Sequence, residues 1–325
     1  MPEPAVVETR GLRRTFVRRE RRAGRVLRER REVVAVDDLS VTVTAGESVG
    51  YIGANGAGKS TTIKMLVGIL VPSAGQVRTC GLDPVPDRIR LARQIGVVFG
   101  QRSQLWWDLP VTESFDILAA VHGLTATQQR ERQRELVDAL ELGDLLTTPV
   151  RQLSLGQRMR AEVAAALLHR PRLVILDEPT IGLDVLSKER LREFLSGERV
   201  RHGTTLLLTT HDMGDVERLC ERVLVIDRGR LAYDGSLPGL AKTVGAVRLL
   251  TLDLVEPVAA LPGLLGVTPL GVEGNGIRHR LAIDPDVTTV GAVLAGLGTT
   301  AQVRDLSIAE PDIEDVVKRI YRARR

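Results

Sequence analysis

Short apolar runs alternate with helix-like segments from the N-terminus to about residue 240. The clearest runs are Glu47–Ile52, Arg172–Leu176 and Thr205–Thr210, each long enough for a strand but too short for a helix. Continuous apolar runs of this length are typical of strands buried on both faces of a parallel sheet. Because helix-like segments separate the runs, the pattern predicts an α/β fold with a parallel sheet.

Beyond about residue 240 the pattern changes to short strands and helices punctuated by glycine and proline. We expect strands at Val247–Leu254, Gly266–Val272, Ile277–Ile283 and Ala301–Ile308, and helices at Pro257–Leu264, Val287–Leu297 and Pro311–Arg322. The last helix has proline in its first turn and acidic residues ahead of basic ones, which suits the helix dipole. The order β-α-β-β-α-β suggests a small α+β, ferredoxin-like module. The segment shows no catalytic cluster, so we expect a docking or regulatory role.

The composition is that of a soluble globular protein, with 43% hydrophobic and 26% charged residues. No apolar run approaches the roughly 20 residues that cross a bilayer, and no signal-peptide pattern is found. The two cysteines, Cys80 and Cys220, form neither a disulfide framework nor a metal-binding pattern. We therefore expect a protein of the reducing cytosol.

Basic charge is concentrated near the N-terminus. An arginine-rich insertion at about residues 17–32 separates Phe16 from the strand-like run Val33–Val36. A solvated loop or helix is the first interpretation of this insertion. Contact with anionic lipid head groups is the second, since each basic residue near such a surface gains about 1 kcal/mol. Nucleic-acid binding is the third, because no aromatic residues are interleaved with the arginines.

A glycine-rich loop follows the first apolar run and precedes the helix-like segment Thr62–Val67. It has the G-x-x-x-x-G-K-[ST] pattern in the strand–loop–helix context typical of a phosphate-binding loop. Its residues are Gly53, Ala54, Asn55, Gly56, Ala57, Gly58, Lys59, Ser60 and Thr61. Glycines let backbone N–H groups approach phosphate oxygens, and Lys59 adds a positive charge. The Ser60 hydroxyl is placed to bind Mg²⁺, and the following helix points its positive end at the same position.

Two adjacent carboxylates, Asp177 and Glu178, follow the second apolar run. The carboxyl ends of strands are where α/β sheets bind ligands. Asp177 suits the coordination shell of Mg²⁺, and Glu178 would then orient or deprotonate an attacking water. A solvated strand end is the alternative interpretation, but the phosphate loop upstream gives the pair a chemical partner.

Between the loop and the carboxylates, the residues Ser154, Leu155, Gly156 and Gln157 open a helix-like segment. A serine at this position is ordinarily an N-cap. Capping does not explain Gly156, because glycine within the first turn costs helix stability. A serine and a glycine at a helix N-terminus are also suited to bind an anion.

Together these motifs resemble those of the ATP-binding subunit of an ATP-binding cassette (ABC) transporter, in the same order. The resemblance covers roughly residues 6–240 and implies a P-loop NTPase cassette with a helical subdomain that carries the signature Ser154–Gln157. It places the ABC domain at residues 1–240 and an accessory or regulatory domain at 241–325. Leu155 departs from the family, which usually has glycine there. The segments 51–66 and 98–110 are similar to those of bacterial drug exporters, including the viologen and daunorubicin types.

The same resemblance implies roles for residues outside the motifs. Gln101 corresponds to a glutamine that reaches Mg²⁺ and the attacking water, with Gln104 as a lesser candidate. His211 corresponds to a histidine that contacts the γ-phosphate, although a lone histidine is more often structural. Asp184 matches a loop that acts across a dimer of two ATP-binding subunits.

Three aromatic residues are further candidates. Phe16 corresponds to the residue that stacks on adenine, with core packing as the alternative. Trp106 and Trp107 are adjacent, and adjacent residues of a strand point to opposite faces, so we expect at least one at the surface. The resemblance predicts that they contact the permease, and packing beneath the helical subdomain is the alternative.

The function implied by the resemblance is ATP hydrolysis, with Mg²⁺, that drives export of a drug-like or lipophilic small molecule. The membrane pathway would come from separate permease subunits, and a second ATP-binding subunit, most simply an identical one, would supply the signature. We expect a peripheral protein at the cytoplasmic face of the plasma membrane, with no nucleic-acid partner. An importer ATPase is the alternative. An ABC ATPase that acts on nucleic acid or the ribosome is less favoured, since the chain shows neither a long coiled-coil insertion nor a second cassette.

Overall fold

The computed structural model describes residues 4–21, 28–100, 103–210, 212–243, 248–298 and 300–309. The chain divides into two compact units, Met1–Ser236 and Leu237–Arg325. This division lies a few residues before the predicted domain boundary at 240/241. Within the residues that the structure describes, no helix combines the length and the apolar character needed to cross a bilayer.

The first unit is an α/β structure. Its strands are β1 (Ala5–Arg21), β2 (Arg28–Thr44), β3 (Ser48–Gly53), β4 (Ala74–Thr79), β5 (Ile95–Val98), β6 (Leu173–Asp177), β7 (Thr205–Thr209), β8 (Arg222–Asp227) and β9 (Arg230–Gly235). Its helices are α1 (Lys59–Leu66), α2 (Arg88–Ala92), α3 (Val111–His122), α4 (Ala126–Ala139), α5 (Leu155–Leu167), α6 (Val185–His202) and α7 (Met213–Leu219).

The central sheet of this unit has the strand order β5-β6-β7-β3-β8-β9. The first five strands are parallel, and β9 is antiparallel to β8. The three apolar runs form β3, β6 and β7, and almost all of their residues are buried. The predicted α/β class with a parallel sheet is therefore confirmed. Since β7 lies between β3 and β6, the carboxyl ends of these three strands meet at one edge.

A second, antiparallel sheet of the first unit has the order β2-β1-β4. The β1–β2 pairing that joins Phe16 to Val33 continues without a register shift to Arg21 and Arg28. The prediction of a loop or helix for the arginine-rich insertion is therefore wrong for its described part, which extends a β-hairpin. Backbone pairing outweighs the low strand preference of the charged residues. Residues 22–27 lie outside the described part, and lipid contact by the insertion stays a prediction.

The helices α3, α4 and α5 form the helical part of the first unit. Two of them begin with capping boxes, Thr125 with Gln128 for α4 and Ser154 with Gln157 for α5. Arg132 of α4 is buried and forms hydrogen bonds of 3.0 and 2.5 Å with the carboxylate of Glu198 on α6. This buried ion pair holds α4 against α6, and removing Arg132 would leave the Glu198 carboxylate buried without its main partner.

The second unit contains an antiparallel sheet. Its elements are α8 (Leu237–Thr243), β10 (Arg248–Leu254), β11 (Val267–Glu273), β12 (Arg278–Ile283), α9 (Val290–Leu297) and β13 (Val303–Ala309). The strand order is β11-β12-β10-β13. The connections from β10 to β11 and from β12 to β13 therefore each cross over one intervening strand. The core includes Leu250, Leu252, Leu281 and Val293.

The predicted helix at Pro257–Leu264 is wrong, since the structure describes these residues and shows no helix there. Instead the Val258 N–H donates to the Gly276 carbonyl at 2.9 Å, and the Val258 carbonyl contacts Nε2 of the buried His279 at 2.9 Å. Pro262 and Gly263 also disfavour a helix at this point. The connection from β10 to β11 thus lacks the helix that a ferredoxin-like module would have there. The ferredoxin-like assignment stays a prediction. The predicted helix Pro311–Arg322 lies outside the described residues.

Candidate active site

The phosphate loop leaves β3 at Gly53 and enters α1 at Lys59. At Gly58, where φ is +104°, an added Cβ would lie 2.4 Å from the Ala35 carbonyl oxygen. At Gly53 an added Cβ would lie 2.6 Å from the Ile226 carbonyl oxygen. A side chain therefore fits at neither position, and the loop packs closely against the chain at Ala35 and Ile226.

The N-terminus of α1 has no side-chain cap, so its first backbone N–H groups are available to an anion. The ammonium of Lys59 donates to the carbonyl oxygens of Gly53 at 2.5 Å and Ala54 at 3.2 Å. Partial burial lowers the pKa of Lys59, and the carboxylates of Glu178 and Asp177 act on that pKa in the opposite direction. A partly desolvated cation on the phosphate loop is well placed to hold a phosphate.

The carboxylate pair lies at the carboxyl end of β6, beside the carboxyl end of β7. Asp177 accepts a hydrogen bond from the Thr209 hydroxyl, and the Glu178 N–H donates to the Thr209 carbonyl at 2.8 Å. Glu178 has a φ of +57°, a left-handed conformation that is uncommon for a residue with a side chain. Such strain is concentrated at functional sites.

A cleft of about 470 Å³ brings the carboxylates and the phosphate loop together. Its lining consists of Ser60, Lys64, Ile69, Phe99, Gly100, Asp177, Glu178 and Ile181. The structure thus joins Ser60, Asp177 and Glu178, which come from distant parts of the sequence. Gln101 and His211 lie outside the described residues, so their predicted roles stay predictions.

A buried hydrogen-bond network supports the segments beside Glu178 and His211. This network was not predicted from the sequence. Asp215 is fully buried and accepts hydrogen bonds from Thr180 at 2.6 Å, from Thr210 at 3.2 Å and from Arg192 at 2.6 and 2.8 Å. Thr180 follows Glu178, and Thr210 precedes His211. An acidic residue on the apolar side of α7 was the available signal, because a buried carboxylate requires partners.

Ser154 caps α5, as the simpler interpretation predicts. Its Oγ accepts from the Gln157 N–H at 3.2 Å, and Gln157 Oε1 accepts from the Ser154 N–H at 2.9 Å. Glycine is required at position 156 for a different reason. A Cβ added there would lie 2.7 Å from the Gly182 carbonyl oxygen. Leu155, which departs from the family pattern, lies against Gly182 and is 42% exposed. The segment around Gly182 therefore packs on the first turn of α5.

Asp184 caps α6, the helix that follows this segment. Its carboxylate accepts from the Ser187 N–H at 2.9 Å and from the Ser187 hydroxyl at 2.8 Å. These hydrogen bonds lower the pKa of Asp184. The residue is at the surface, so its predicted action across a dimer stays a prediction.

The three aromatic candidates are all exposed to some extent. Phe16 is 38% exposed, and the Arg14 guanidinium lies 4.7 Å from its ring centroid, so Phe16 is not a core residue. Trp106 is 39% exposed and Trp107 is 51% exposed. The Arg158 guanidinium of α5 lies 5.7 Å from the Trp107 ring. Both indoles therefore offer surface to a partner.

Gln104, the lesser candidate for the Mg²⁺-reaching glutamine, is held elsewhere. Its side-chain amide donates to the Glu162 carbonyl of α5 at 2.9 Å. It is not among the residues that line the cleft. Glu162 itself was not singled out from the sequence, although a glutamate among apolar residues of a helix is a recognisable signal.

Comparisons with known proteins agree with this site. The family described as ABC transporter matches residues 36–181. The Nod factor export ATP-binding protein I of Paraburkholderia xenovorans is 39% identical over 233 residues, covering 70% of this chain and 74% of that protein. The ABC transporter ATP-binding protein NatA of Bacillus subtilis is 34% identical over 212 residues, covering 65% of this chain and 86% of that protein. The chain belongs to the family of ABC transporter ATP-binding subunits.

Solved structures support the same assignment. The ATP-binding subunit of an ABC transporter superimposes with a TM-score of 0.64 at 26% identity, covering 74% of this chain and 93% of that one. A dimeric ATP-binding cassette bound to ADP and phosphate has a TM-score of 0.62 at 23% identity, which shows the shared fold. The predicted P-loop cassette fold is confirmed, and the chain is a P-loop ATPase.

Proposed function

We propose that this chain powers export of a small molecule through a separate membrane permease. The main support is the cleft that joins Ser60 of the phosphate loop to Asp177 and Glu178, because these groups are suited to hydrolyse ATP. Support for export comes from the relatives, one of which is named for Nod factor export. An importer ATPase remains the alternative.

Phosphate binding falls to the loop and α1. The uncapped N–H groups of α1 and the amides of the glycine-rich loop face the β- and γ-phosphates. Lys59 exchanges its two loop carbonyls for phosphate oxygens, which restores its preference for the charged form. Phe16 stacks on the adenine ring. Positioning and charge neutralisation of this kind supply most of the catalysis of phosphoryl transfer.

The cleft also has the donors that Mg²⁺ requires. The Ser60 hydroxyl and the Asp177 carboxylate are oxygen ligands of the kind that Mg²⁺ prefers, and both line the same cleft. Gln101 would add an amide oxygen. When bound, Mg²⁺ neutralises charge on the β- and γ-phosphates. The Thr209 hydroxyl orients Asp177 for this role.

Glu178 is the residue assigned to the attacking water. The same cleft holds its side chain beside Ser60 and Asp177, and its N–H is fixed to the end of β7. It orients and deprotonates the water, while His211 contacts the γ-phosphate. A positioned base of this kind contributes about 10²–10⁴ in rate.

A second ATP-binding subunit supplies the signature. In capping α5, Ser154 uses its oxygen as an acceptor, which leaves the hydroxyl proton available to donate to a phosphate. The absence of a side chain at Gly156 leaves room beside the first turn of α5. Asp184 lies on the loop that meets the other subunit. A solved cassette of the same fold is described as dimeric with bound ADP and phosphate. A homodimer is the simplest arrangement.

The permease contact is assigned to Trp106 and Trp107. Exposed indoles at the centre of an interface carry much of its binding energy. A solved relative with 26% identity is described as part of an ABC transporter complex, which supports a multisubunit assembly. The subunit would then be peripheral at the cytoplasmic face of the plasma membrane. We assign the substrate to the drug-like or lipophilic class, as in exporters of the viologen and daunorubicin type.

Transport direction tests this proposal. Inside-out vesicles that contain the subunit and its co-expressed permease should accumulate daunorubicin or a viologen when ATP is added outside. Trp107→Ala should cost about 2 kcal/mol or more of permease affinity and reduce accumulation accordingly, yet spare hydrolysis by the isolated subunit.

Val200→Ala is the matched control, since Val200 is a large exposed apolar side chain on α6. It should leave assembly and accumulation unchanged. Accumulation only in right-side-out vesicles, with ATP enclosed on the inside, would favour the importer. Wild-type assembly by both Trp106→Ala and Trp107→Ala would refute the assigned contact.

A further inference from the structure

We propose that Glu162 is a positioning residue, which holds the segment after Gln101 against the signature helix α5. This inference rests on the proposed function. We call Ser103–Leu105 the anchor segment. Through it, Glu162 would keep the Gln101 loop and the signature in one fixed arrangement during hydrolysis.

Glu162 clasps the anchor segment through three hydrogen bonds. One carboxylate oxygen accepts from the Ser103 hydroxyl, and the other accepts from the Gln104 N–H at 3.1 Å. The Gln104 side-chain amide returns a hydrogen bond to the Glu162 carbonyl at 2.9 Å. Hydrogen bonds to an ionised carboxylate are stronger than neutral ones, so this clasp is firm.

Burial makes the choice of residue informative. Glu162 is only 4% exposed and lies within a run of buried residues on α5. Burial raises its pKa, whereas the hydrogen bonds from Ser103 and Gln104 act in the opposite direction. Burying a carboxylate costs folding free energy unless hydrogen bonds compensate for the lost water. The clasp supplies those hydrogen bonds.

The rest of the anchor segment is fixed as well. The Leu105 N–H donates to the Ser103 oxygen at 3.1 Å, and Leu105 is 5% exposed. The next residue, Trp106, donates its N–H to the buried Ser114 hydroxyl of α3 at 3.1 Å. The segment is thereby tied to both α3 and α5.

The chain before Gln101 lies at the cleft. Gly100 lines the cleft, and an added Cβ there would lie 3.3 Å from the Asp177 carbonyl oxygen. In the sequence only two residues, Gln101 and Arg102, separate Gly100 from the clasped Ser103. Because a helix moves as a rigid element, a shift of α5 would move Ser154 and Ser103 together. Glu162 would thus link the signature helix to the chain that carries Gln101.

Steady-state hydrolysis by the full chain tests this link. Glu162→Ala should lower kcat about tenfold or more, since small misplacements of a catalytic group are costly. The Kd for ATP should change by less than about twofold, because the phosphate loop is untouched. Ser103→Ala should lower kcat by a smaller factor.

Two further variants separate positioning from simple stability. Glu162→Gln should recover most of kcat, because its amide oxygen can accept from the Gln104 N–H and its NH₂ can donate to the Ser103 oxygen. Ser103→Ala combined with Glu162→Ala should lose less than the product of the single losses, since the two side chains share one contact. Glu193→Ala, an exposed glutamate of α6, is the control and should retain wild-type kcat.

Wild-type kcat in folded Glu162→Ala would overturn the inference. If that variant does not fold, wild-type kcat in Ser103→Ala would overturn it as well. Failure of the proposed export looks different, because inside-out vesicles would then accumulate no substrate while the wild-type chain still hydrolyses ATP. A wild-type chain that is active and depends on Glu178, with unaffected clasp variants, would refute this inference alone.

Discussion

Single residues at the site are explained by close contacts more than by their average preferences. Gly58 and Gly156 each face a backbone carbonyl that a Cβ would strike. Ser154 and Asp184 cap helices, so their local roles are complete within one chain. We predict that both residues also act across a dimer. In capping, their oxygens serve as hydrogen-bond acceptors, which is compatible with such a contact.

Glu178 is the residue whose change tests the chemistry most sharply. Glu178→Gln keeps the size of the side chain and its amide can still form hydrogen bonds, but it removes the base. Hydrolysis should fall by about 10²–10⁴ while ATP still binds. Size exclusion with ATP should show the variant as a dimer. Glu193→Gln is the control and should hydrolyse ATP normally, whereas near-normal hydrolysis by Glu178→Gln would mean that another group is the base.

At the scale of elements, the sequence predicts best where one physical requirement dominates. The apolar runs at β3, β6 and β7 reveal a doubly covered parallel sheet, and that part of the fold is confirmed. The arginine-rich insertion was misassigned because hairpin pairing, a property of two strands together, is not visible in either strand alone. The irregular segment at Pro257–Leu264 likewise depends on contacts with Gly276 and His279.

The candidate site divides in the same way. The phosphate loop and the carboxylate pair are recognisable because their spacing follows from the chemistry of phosphate binding. The supporting Asp215 network and the Glu162 clasp were not found, because their partners come from separate helices and loops. Sequence reasoning identifies groups that act on the ligand more readily than groups that hold those in place.

A pair of stacked histidines joins α3 to the chain that follows α5. The rings of His122 and His169 lie 3.7 Å apart at an interplanar angle of 6°. His169 Nε2 contacts the Ile95 carbonyl of β5 at 3.0 Å, while Nδ1 of each ring is buried without a hydrogen-bond partner among the described atoms. Burial lowers the pKa of both groups, and that of His169 falls to about 4.

This depressed pKa predicts acid sensitivity of the first unit. Between about pH 6.5 and pH 4 the unfolded chain takes up the His169 proton and the folded chain does not, so stability falls as pH falls. The contribution is at most about 3 kcal/mol. His169→Gln keeps an N–H for the Ile95 carbonyl but does not titrate, so its free energy of unfolding should vary less over this range. Urea titrations followed by tryptophan fluorescence report on the first unit, which holds both tryptophans. If the free energies of unfolding of the wild type and of His169→Gln varied with pH in parallel, the assignment would be contradicted.

In the whole molecule, the proposed ATP site is shared by two subunits. In the proposed dimer, one chain would supply Lys59, Asp177 and Glu178, and the other would supply Ser154 and Gly156. In an isologous dimer each subunit gives and receives the same set of groups. A chain defective in one half of the site should therefore be complemented by a chain defective in the other.

Mixing two inactive variants measures this directly. Ser154→Arg should bind ATP but not hydrolyse it, and Lys59→Ala should lose phosphate binding. Random mixing at equal concentrations yields half mixed dimers with one intact site each, so hydrolysis should recover to at most about a quarter of the wild-type rate. Recovery on mixing, with both variants inactive alone, is the result that we predict. Wild-type hydrolysis by Ser154→Arg alone would show that one chain contains the complete site and would contradict the account.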